Sequence, residues 1–224
     1  MFLSRIHLNQ RCKEARRDLS DPYQLHSTLC RAFAKPESPC PEGEFMWRLE
    51  PETDVTGQAR VLVQSKTVPD WAGIGVEGWL AGYDRPIDLA ARLGLKSVRA
   101  GQRFRFRLRG NPCVTHDGKR LGLLRVEDQE AWIARKGEQH GFVLPCSASF
   151  DLSDTSPERV DVRIWQQQML KSNRHSGGMI KIFSVLFDGV LSVAEPNRFR
   201  NALETGIGHG KVMSLGLLSV VPIT

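Results

Sequence analysis

The sequence predicts an α+β protein made of two tandem ferredoxin-like (RRM-like) βαββαβ units. Three observations lead there. Short alternating apolar segments read as strands, with helix signals between them. Their order, strand–helix–strand–strand–helix, occurs before residue 97 and a strand-led set follows it. The length, 224 residues, suits two compact domains or one larger one. We therefore expect domains at 1–97 and 98–224, although no repeat is visible residue by residue.

In the first unit, Phe2 to Asn9 alternates as a strand does, and Arg11 to Leu19 is basic and permits a helix. A firm helix start follows. Asp21 can cap, Pro22 suits the first helical position, and Gln24 stands where a capping-box partner belongs. Leu25, Leu29 and Phe33 recur every four residues and should face the core. Lys35 to Gly43 holds three prolines and reads as a loop; Phe45 to Leu49 and Arg60 to Lys66 read as strands. Glycine and proline punctuate Asp70 to Arg85, which reads as irregular, and Ile87 to Leu95 can hold a short helix.

In the second unit, Gln102 to Arg109 is a strand, Glu127 to Gln139 a helix, and Gly141 to Phe150 and Val160 to Leu170 are strands. Met179 to Val193 reads as two strands turning at Asp188-Gly189, a hairpin dipeptide. Pro196 to Thr205 can be helical, and Met213 to Val221 is a last strand.

Composition bounds the function. The formal net charge is +6 and the pI about 9.3, which permits an anionic partner without proving one. Five cysteines, an odd number with no CxxC pair, argue against a disulfide framework or a zinc site and suit a reducing cytoplasm. The first residues are broken by charge too early for a secretory segment, and no apolar run approaches a membrane helix. We expect a soluble cytoplasmic protein that needs no membrane, metal or cofactor.

The charge is unevenly spread. Arg99 to Arg125 holds eight basic residues against one acid, Asp117, so the rest of the chain is slightly acidic. Arg103, Arg105, Arg107 and Arg109 alternate with Phe104, Phe106 and Leu108. On a strand the apolar three face the core, and the arginines form a ladder with steps of about 6.6 Å. Such a row is either a solvated face or the seat of a polyanion, because like charges repel unless an anion lies across them. Lys119 and Arg120, on a tip at Asp117-Gly118, would extend this surface. A second basic cluster, Lys171, Arg174 and His175, precedes Gly177-Gly178; it reads equally as a phosphate-contacting hairpin tip or as a solvent loop.

No HExxH, carboxylate cluster, P-loop or GxSxG elbow is present. Gly206, Gly208, Gly210 and Gly216 follow a helix and lead into a strand, the reverse of a Rossmann loop, and Lys211 is followed by Val212 rather than by Ser or Thr. These glycines either expose amide N–H groups to a ligand or make a tight turn.

His26 is the sharper candidate. On a helical wheel it borders the Leu25/Leu29/Phe33 face, its ring expected to look outward, and Tyr23 is its neighbour three residues back. A lone helical histidine is usually a surface residue; here it stands on a basic protein beside a tyrosine. RNA carries its own nucleophile, the 2′-hydroxyl. Cutting it requires removing that proton, protonating the leaving 5′-oxygen and stabilising the phosphorane. Imidazole, with an unperturbed pKa of about 6.5, suits the proton steps. Tyr23 can orient or relay, and Arg31 or the strand arginines can hold the phosphorane. The products would be a 2′,3′-cyclic phosphate and a 5′-hydroxyl.

These residues also carry a resemblance. Leu8-Asn9, Ala15-Arg16-Arg17-Asp18-Leu19, Asp21-Pro22-Tyr23 and His26 resemble the N-terminal signature of the CasE family, the CRISPR precursor-RNA endoribonucleases of the type I-E Cascade complex. The similarity continues through Trp47-Arg48-Leu49-Glu50, Val61 to Gln64, Pro69-Asp70-Trp71, Gly101-Gln102-Arg103 and Asn111-Pro112. It resumes at Gly118-Lys119-Arg120, Leu186 to Gly189, Gly206 to Lys211 and Gly216 to Ser219; Ala72 to Ser97 matches least. The resemblance implies tandem ferredoxin-like domains, a CRISPR repeat hairpin as substrate, and retention of the cut crRNA within Cascade beside its other subunits. It assigns catalysis to His26 and Tyr23, and RNA contacts to the glycine-rich loop with Lys211. Some members carry lysine where this chain has Arg31; charge is kept but geometry differs, so Arg31 is taken as an RNA contact.

Three readings stay open at this point. A ribonuclease would cut a cognate hairpin in EDTA. A non-catalytic RNA-binding module would bind tightly and salt-sensitively without cutting. A structural subunit that binds only proteins would show no salt-dependent RNA binding, and the arginine ladder speaks against it.

Overall fold

The structure is a computed structural model and describes residues 1–35, 37–146, 160–173 and 177–223. The chain begins with β1 (Phe2–Leu8), α1 (Lys13–Ser20), α2 (Pro22–Cys30), β2 (Phe45–Leu49), β3 (Ala59–Ser65), β4 (Leu80–Tyr83), β5 (Ile87–Asp88) and α3 (Leu89–Arg92). It continues with β6 (Arg103–Gly110), β7 (Cys113–His116), β8 (Lys119–Gly122), α4 (Val126–Gln139), β9 (Phe142–Val143), β10 (Val162–Asn173), β11 (Met179–Val193), α5 (Pro196–Thr205) and β12 (Leu218–Pro222).

Besides a separate two-stranded antiparallel sheet of β7 and β8, two five-stranded antiparallel sheets result, ordered β2-β3-β1-β4 and β10-β11-β6-β12, with β5 and β9 on the side. Each places its first strand beside its third and its last, the ferredoxin-like order. The second unit carries both crossover helices, α4 and α5. In the first, the β3-to-β4 crossover holds only a 3-10 turn, Ala72–Ile74, where a second helix would stand. The strand β4 falls inside Asp70 to Arg85, the stretch expected to be irregular, and the helix expected from Ile87 shrinks to one turn beyond the short strand β5. Trp71, Ile74 and Trp79 are buried there, so tertiary packing rather than local pattern orders the segment.

Alternation works where it is strict. Ile6 and Leu8 point into the first core, and Phe104, Phe106 and Leu108 into the second. The expected turn at Asp188-Gly189 is absent: β11 runs unbroken through it. Gly189 makes room instead, because a Cβ there would stand 2.7 Å from the Asp161 carbonyl oxygen and 3.1 Å from the Phe106 ring. Asp188 is used as an anion, as described below. Of the strand expected at Gly141 to Phe150, β9 covers two residues; residues 147–150 lie outside those described, as do Arg174 and His175.

The first crossover is two helices, broken at Asp21-Pro22. Asp21 caps α2 as expected: its Oδ1 accepts from the N–H groups of Tyr23 (2.9 Å) and Gln24 (3.3 Å), a cap worth about 1 kcal/mol. Asp18, 1% exposed, pins the pair by accepting from Thr28 of α2 at 2.7 Å and from the Trp79 indole at 2.9 Å. Helix α2 then lies between the first core and the second unit, where it meets β10 and the 3-10 turn Lys211–Met213.

Candidate active site

Helix α2 presents His26 at the seam between the units. Its ring does not look outward as the helical wheel suggested. It stacks on Phe45 of the edge strand β2, centroids 4.9 Å apart, and Phe45 stacks in turn on Phe33 at 4.8 Å. The physical reason is that β2 closes over the border of the helix face, which a wheel drawn for α2 alone cannot show. Nδ1 is sealed, with no hydrogen-bond partner among the described residues. The ring still forms part of the wall of a cavity of about 430 Å³, so Nε2 is the nitrogen that meets it.

Burial pushes the imidazole pKa down to about 4. The ring is therefore neutral at pH 7. Between pH 6.5 and 4 the unfolded chain binds a proton here that the native chain refuses. Native stability should thus fall as pH drops through that window, by up to about 3 kcal/mol, and should be unaffected by this group above 6.5. Following the histidine ring resonances by NMR in the free protein checks this. We expect a midpoint near 4 for His26; a midpoint at the unperturbed value would mean a solvated ring.

The same cavity is walled by Lys211 from the glycine-rich loop and by Lys66 from the end of β3, together with Glu42, Glu44 and Glu204. Glu44 is already committed, its Oε1 accepting from the Thr67 N–H (2.8 Å) and hydroxyl (2.6 Å). Among the described residues neither lysine has an ion pair. Nothing in the local pattern around Lys66 marks it, and sequence reasoning missed it.

The glycine-rich loop is both a tight turn and an open backbone. Gly206 and Gly216, at φ +75° and +88°, pack against each other: the Ile207 N–H donates to Gly216 at 2.9 Å, and a Cβ on Gly206 would stand 2.7 Å from the Gly216 oxygen and strike the Met46 sulfur. Gly208, also at positive φ, has open space where a side chain would be. Among the described residues the N–H groups of Gly208, His209 and Gly210 donate to no protein acceptor. A short run of free amides beside a lysine is an anion seat.

Other expected residues scatter. Tyr23 is half-buried one turn before His26 and is not among the side chains lining this cavity. Arg31 is turned toward the carbonyl of Ile74, at 3.5 Å. Lys119 and Arg120 are exposed on β8, which pairs only with β7. Lys171 is exposed in β10 rather than in a loop.

The arginine row of β6 divides. Arg103 and Arg105 are exposed, but Arg107 and Arg109 turn onto the seam between the two units. Arg107 meets Asp188 through Nε–Oδ1 (2.8 Å) and Nη2–Oδ2 (2.9 Å), Glu50 at 2.8 Å and Glu52 at 3.0 Å. These carboxylates hold its pKa above the ordinary value. Arg109 is 4% exposed and bonds Gln166 and Ser184; burial lowers its pKa to about 10, still charged at pH 7. The anions that hold Arg107 are thus the protein's own, while Arg109 is held by the neutral side chains of Gln166 and Ser184.

A neutral histidine and two lysines share one cavity where the two ferredoxin-like units meet, with the glycine-rich loop leading into it at Lys211, and this defines the class: a tandem ferredoxin-like protein with a candidate site at its domain seam. The comparisons with known proteins sharpen this. The family model described as CRISPR associated protein matches residues 1–222, and the chain belongs to that family. It is 36% identical over 231 residues to the CRISPR-associated endoribonuclease Cse3 of Thermus thermophilus, covering 99% of this chain and 100% of that one. It is 27% identical over 236 residues to the CRISPR system Cascade subunit CasE of Escherichia coli, covering both chains completely. A solved structure of Thermus thermophilus Cse3 bound to an RNA representing a pre-cleavage complex superposes with a TM-score of 0.81 at 35% identity, over 99% of this chain and 98% of that one.

Proposed function

We propose that this protein is an endoribonuclease that binds the CRISPR repeat hairpin, cleaves precursor crRNA by attack of the 2′-hydroxyl without a metal ion, and stays bound as a subunit of Cascade. Family membership and the names of its relatives support the substrate and the assembly. The observation that carries the chemistry is the neutral His26 lining one cavity with two lysines that form no ion pair among the described residues. A neutral imidazole accepts a proton at pH 7. Through Nε2 it takes the 2′-hydroxyl proton, and the imidazolium so formed can return it to the leaving 5′-oxygen. Lys211, Lys66 and the free amides of Gly208 to Gly210 hold the phosphorane charge. Tyr23, on the same helix face, orients the reacting ribose. Arg103, Arg105, Lys119, Arg120, Lys171 and Arg174 serve as phosphate contacts for the stem, with Arg31 beside them.

We take residues 1–97 and 98–224 as the two domains, each containing one of the two sheets. Among the described residues no helix is long and apolar enough to cross a membrane, and the five thiols are free. We infer a site of action in the prokaryotic cytoplasm from its kinship with the CRISPR-associated relatives.

The test is incubation of the purified protein with its host's repeat RNA in EDTA. We expect one cut, leaving a 2′,3′-cyclic phosphate and a 5′-hydroxyl. Tight, salt-sensitive binding with no cut product would instead assign a non-catalytic RNA-binding subunit.

A further inference from the structure

The strand arm formed by β10 and β11 carries a pair of like charges. Lys171 and Lys181 stand directly opposite each other in the antiparallel register, both exposed, with no acidic partner among the described residues. Such a pair is destabilising unless an anion bridges it. Alternation along β10 turns the next residue, Ser172, to the other face. There it is 4% exposed, and its hydroxyl donates to Asp21 Oδ1. That same oxygen accepts from the backbone N–H of Tyr23 and of Gln24 and so sets the start of α2.

A cavity of about 240 Å³ adjoins this contact, between Asp18, Pro22 and Leu25 on one side and Gln166, Gln168 and Leu170 on the other. That part of the contact is unpacked, so the hydrogen bond beside it bears on how α2 sits against β10. The Ser172 hydroxyl to Asp21 hydrogen bond joins β10 to the N-cap of α2.

We propose that Ser172 is a positioning residue for cleavage: it latches the substrate-gripping β10–β11 arm to the N-terminus of the helix bearing Tyr23 and His26, so that grip on the RNA aligns the cutting groups. The inference rests on the endoribonuclease reading above. It acts through Asp21 and touches no RNA, so it should alter the rate of the chemical step and not the affinity.

The experiment measures single-turnover cleavage of the repeat RNA in EDTA, the Kd of a repeat with a 2′-deoxy residue at the scissile position, and Tm, for the wild type and Ser172→Ala. A displacement well under 1 Å should slow cutting by about tenfold. Kd should stay within about twofold, and Tm within the few degrees that one lost hydrogen bond moves. An S172A that cuts as fast as the wild type overturns the latch. So does one whose rate, Kd and Tm fall together, since that is a merely structural role. Wild-type cleavage in the same assay separates the two readings. No cut product from the wild type defeats the endoribonuclease reading, whereas a wild type that cuts beside an equally fast S172A defeats the latch alone.

Discussion

His26→Ala is expected to abolish cutting of the repeat hairpin while leaving it bound. Loss of a general base lowers a rate by about 10²–10⁴-fold. Of the carboxylates lining the cavity, Glu44 is already tied to Thr67. Binding should hold within about twofold, because affinity for a hairpin comes mostly from phosphate contacts spread over the surface. The alanine also removes a ring from the stack on Phe45, so lost packing has to be separated from lost chemistry. His26→Phe keeps an aromatic ring in that stack without a basic nitrogen and should be equally inactive. Single-turnover gels in EDTA and a filter-binding curve on the 2′-deoxy repeat decide the matter. If His26→Phe cuts at the wild-type rate, proton transfer by this residue is refuted.

How far the sequence foretold this site depends on whether the evidence was local. The break between α1 and α2 was legible because its cause, Asp21 followed by Pro22, lies within three residues of its effect. The core strands were legible because burial alternates along them, as in Phe104, Phe106 and Leu108. What the sequence could not show are the partners that arrive from elsewhere in the chain. The row Arg103 to Arg109 has one spacing, yet two of its members are exposed and two are consumed at the domain seam, because Glu50, Glu52 and Asp188 meet Arg107 there and Gln166 and Ser184 meet Arg109. Asp188-Gly189 has the composition of a turn, and its tertiary use is an ion pair and a close strand contact. Lys66 joins His26 only because β2 and β3 fold side by side, and the stack that hides Nδ1 is made by Phe45, nineteen positions away in sequence. Charge density was therefore a guide to a polyanion-binding protein, and a poor guide to which cations stay free.

The second large effect is expected at Arg48, which sequence reasoning passed over within the Trp47-Arg48-Leu49-Glu50 segment. It is 2% exposed and knits the units together. Its Nε meets Glu50 at 2.8 Å, and its Nη1 donates to the carbonyls of Arg107 and Leu217, both at 3.2 Å. Glu50 in turn holds Arg107 at 2.8 Å, and Arg107 holds Asp188. Burial lowers the Arg48 pKa while Glu50 raises it, and the guanidinium stays charged. Arg48→Ala takes a buried donor from the carbonyls of Arg107 and Leu217, leaves a cavity, and leaves Glu50 with Arg107 alone, at a cost of about 3 kcal/mol. It should therefore lower the urea midpoint by that equivalent. Arg48→Met, which loses the same hydrogen bonds but refills most of the volume, should cost less. Because the same strand carries Phe45, the stacking partner of His26, a loosened β2 should also raise the His26 pKa from about 4 toward its ordinary value. The midpoint shift and the ring titration are measured on the same variant. A loss under about 1 kcal/mol, the range of an exposed pair, with His26 unmoved, would mean that the seam does not depend on this buried charge.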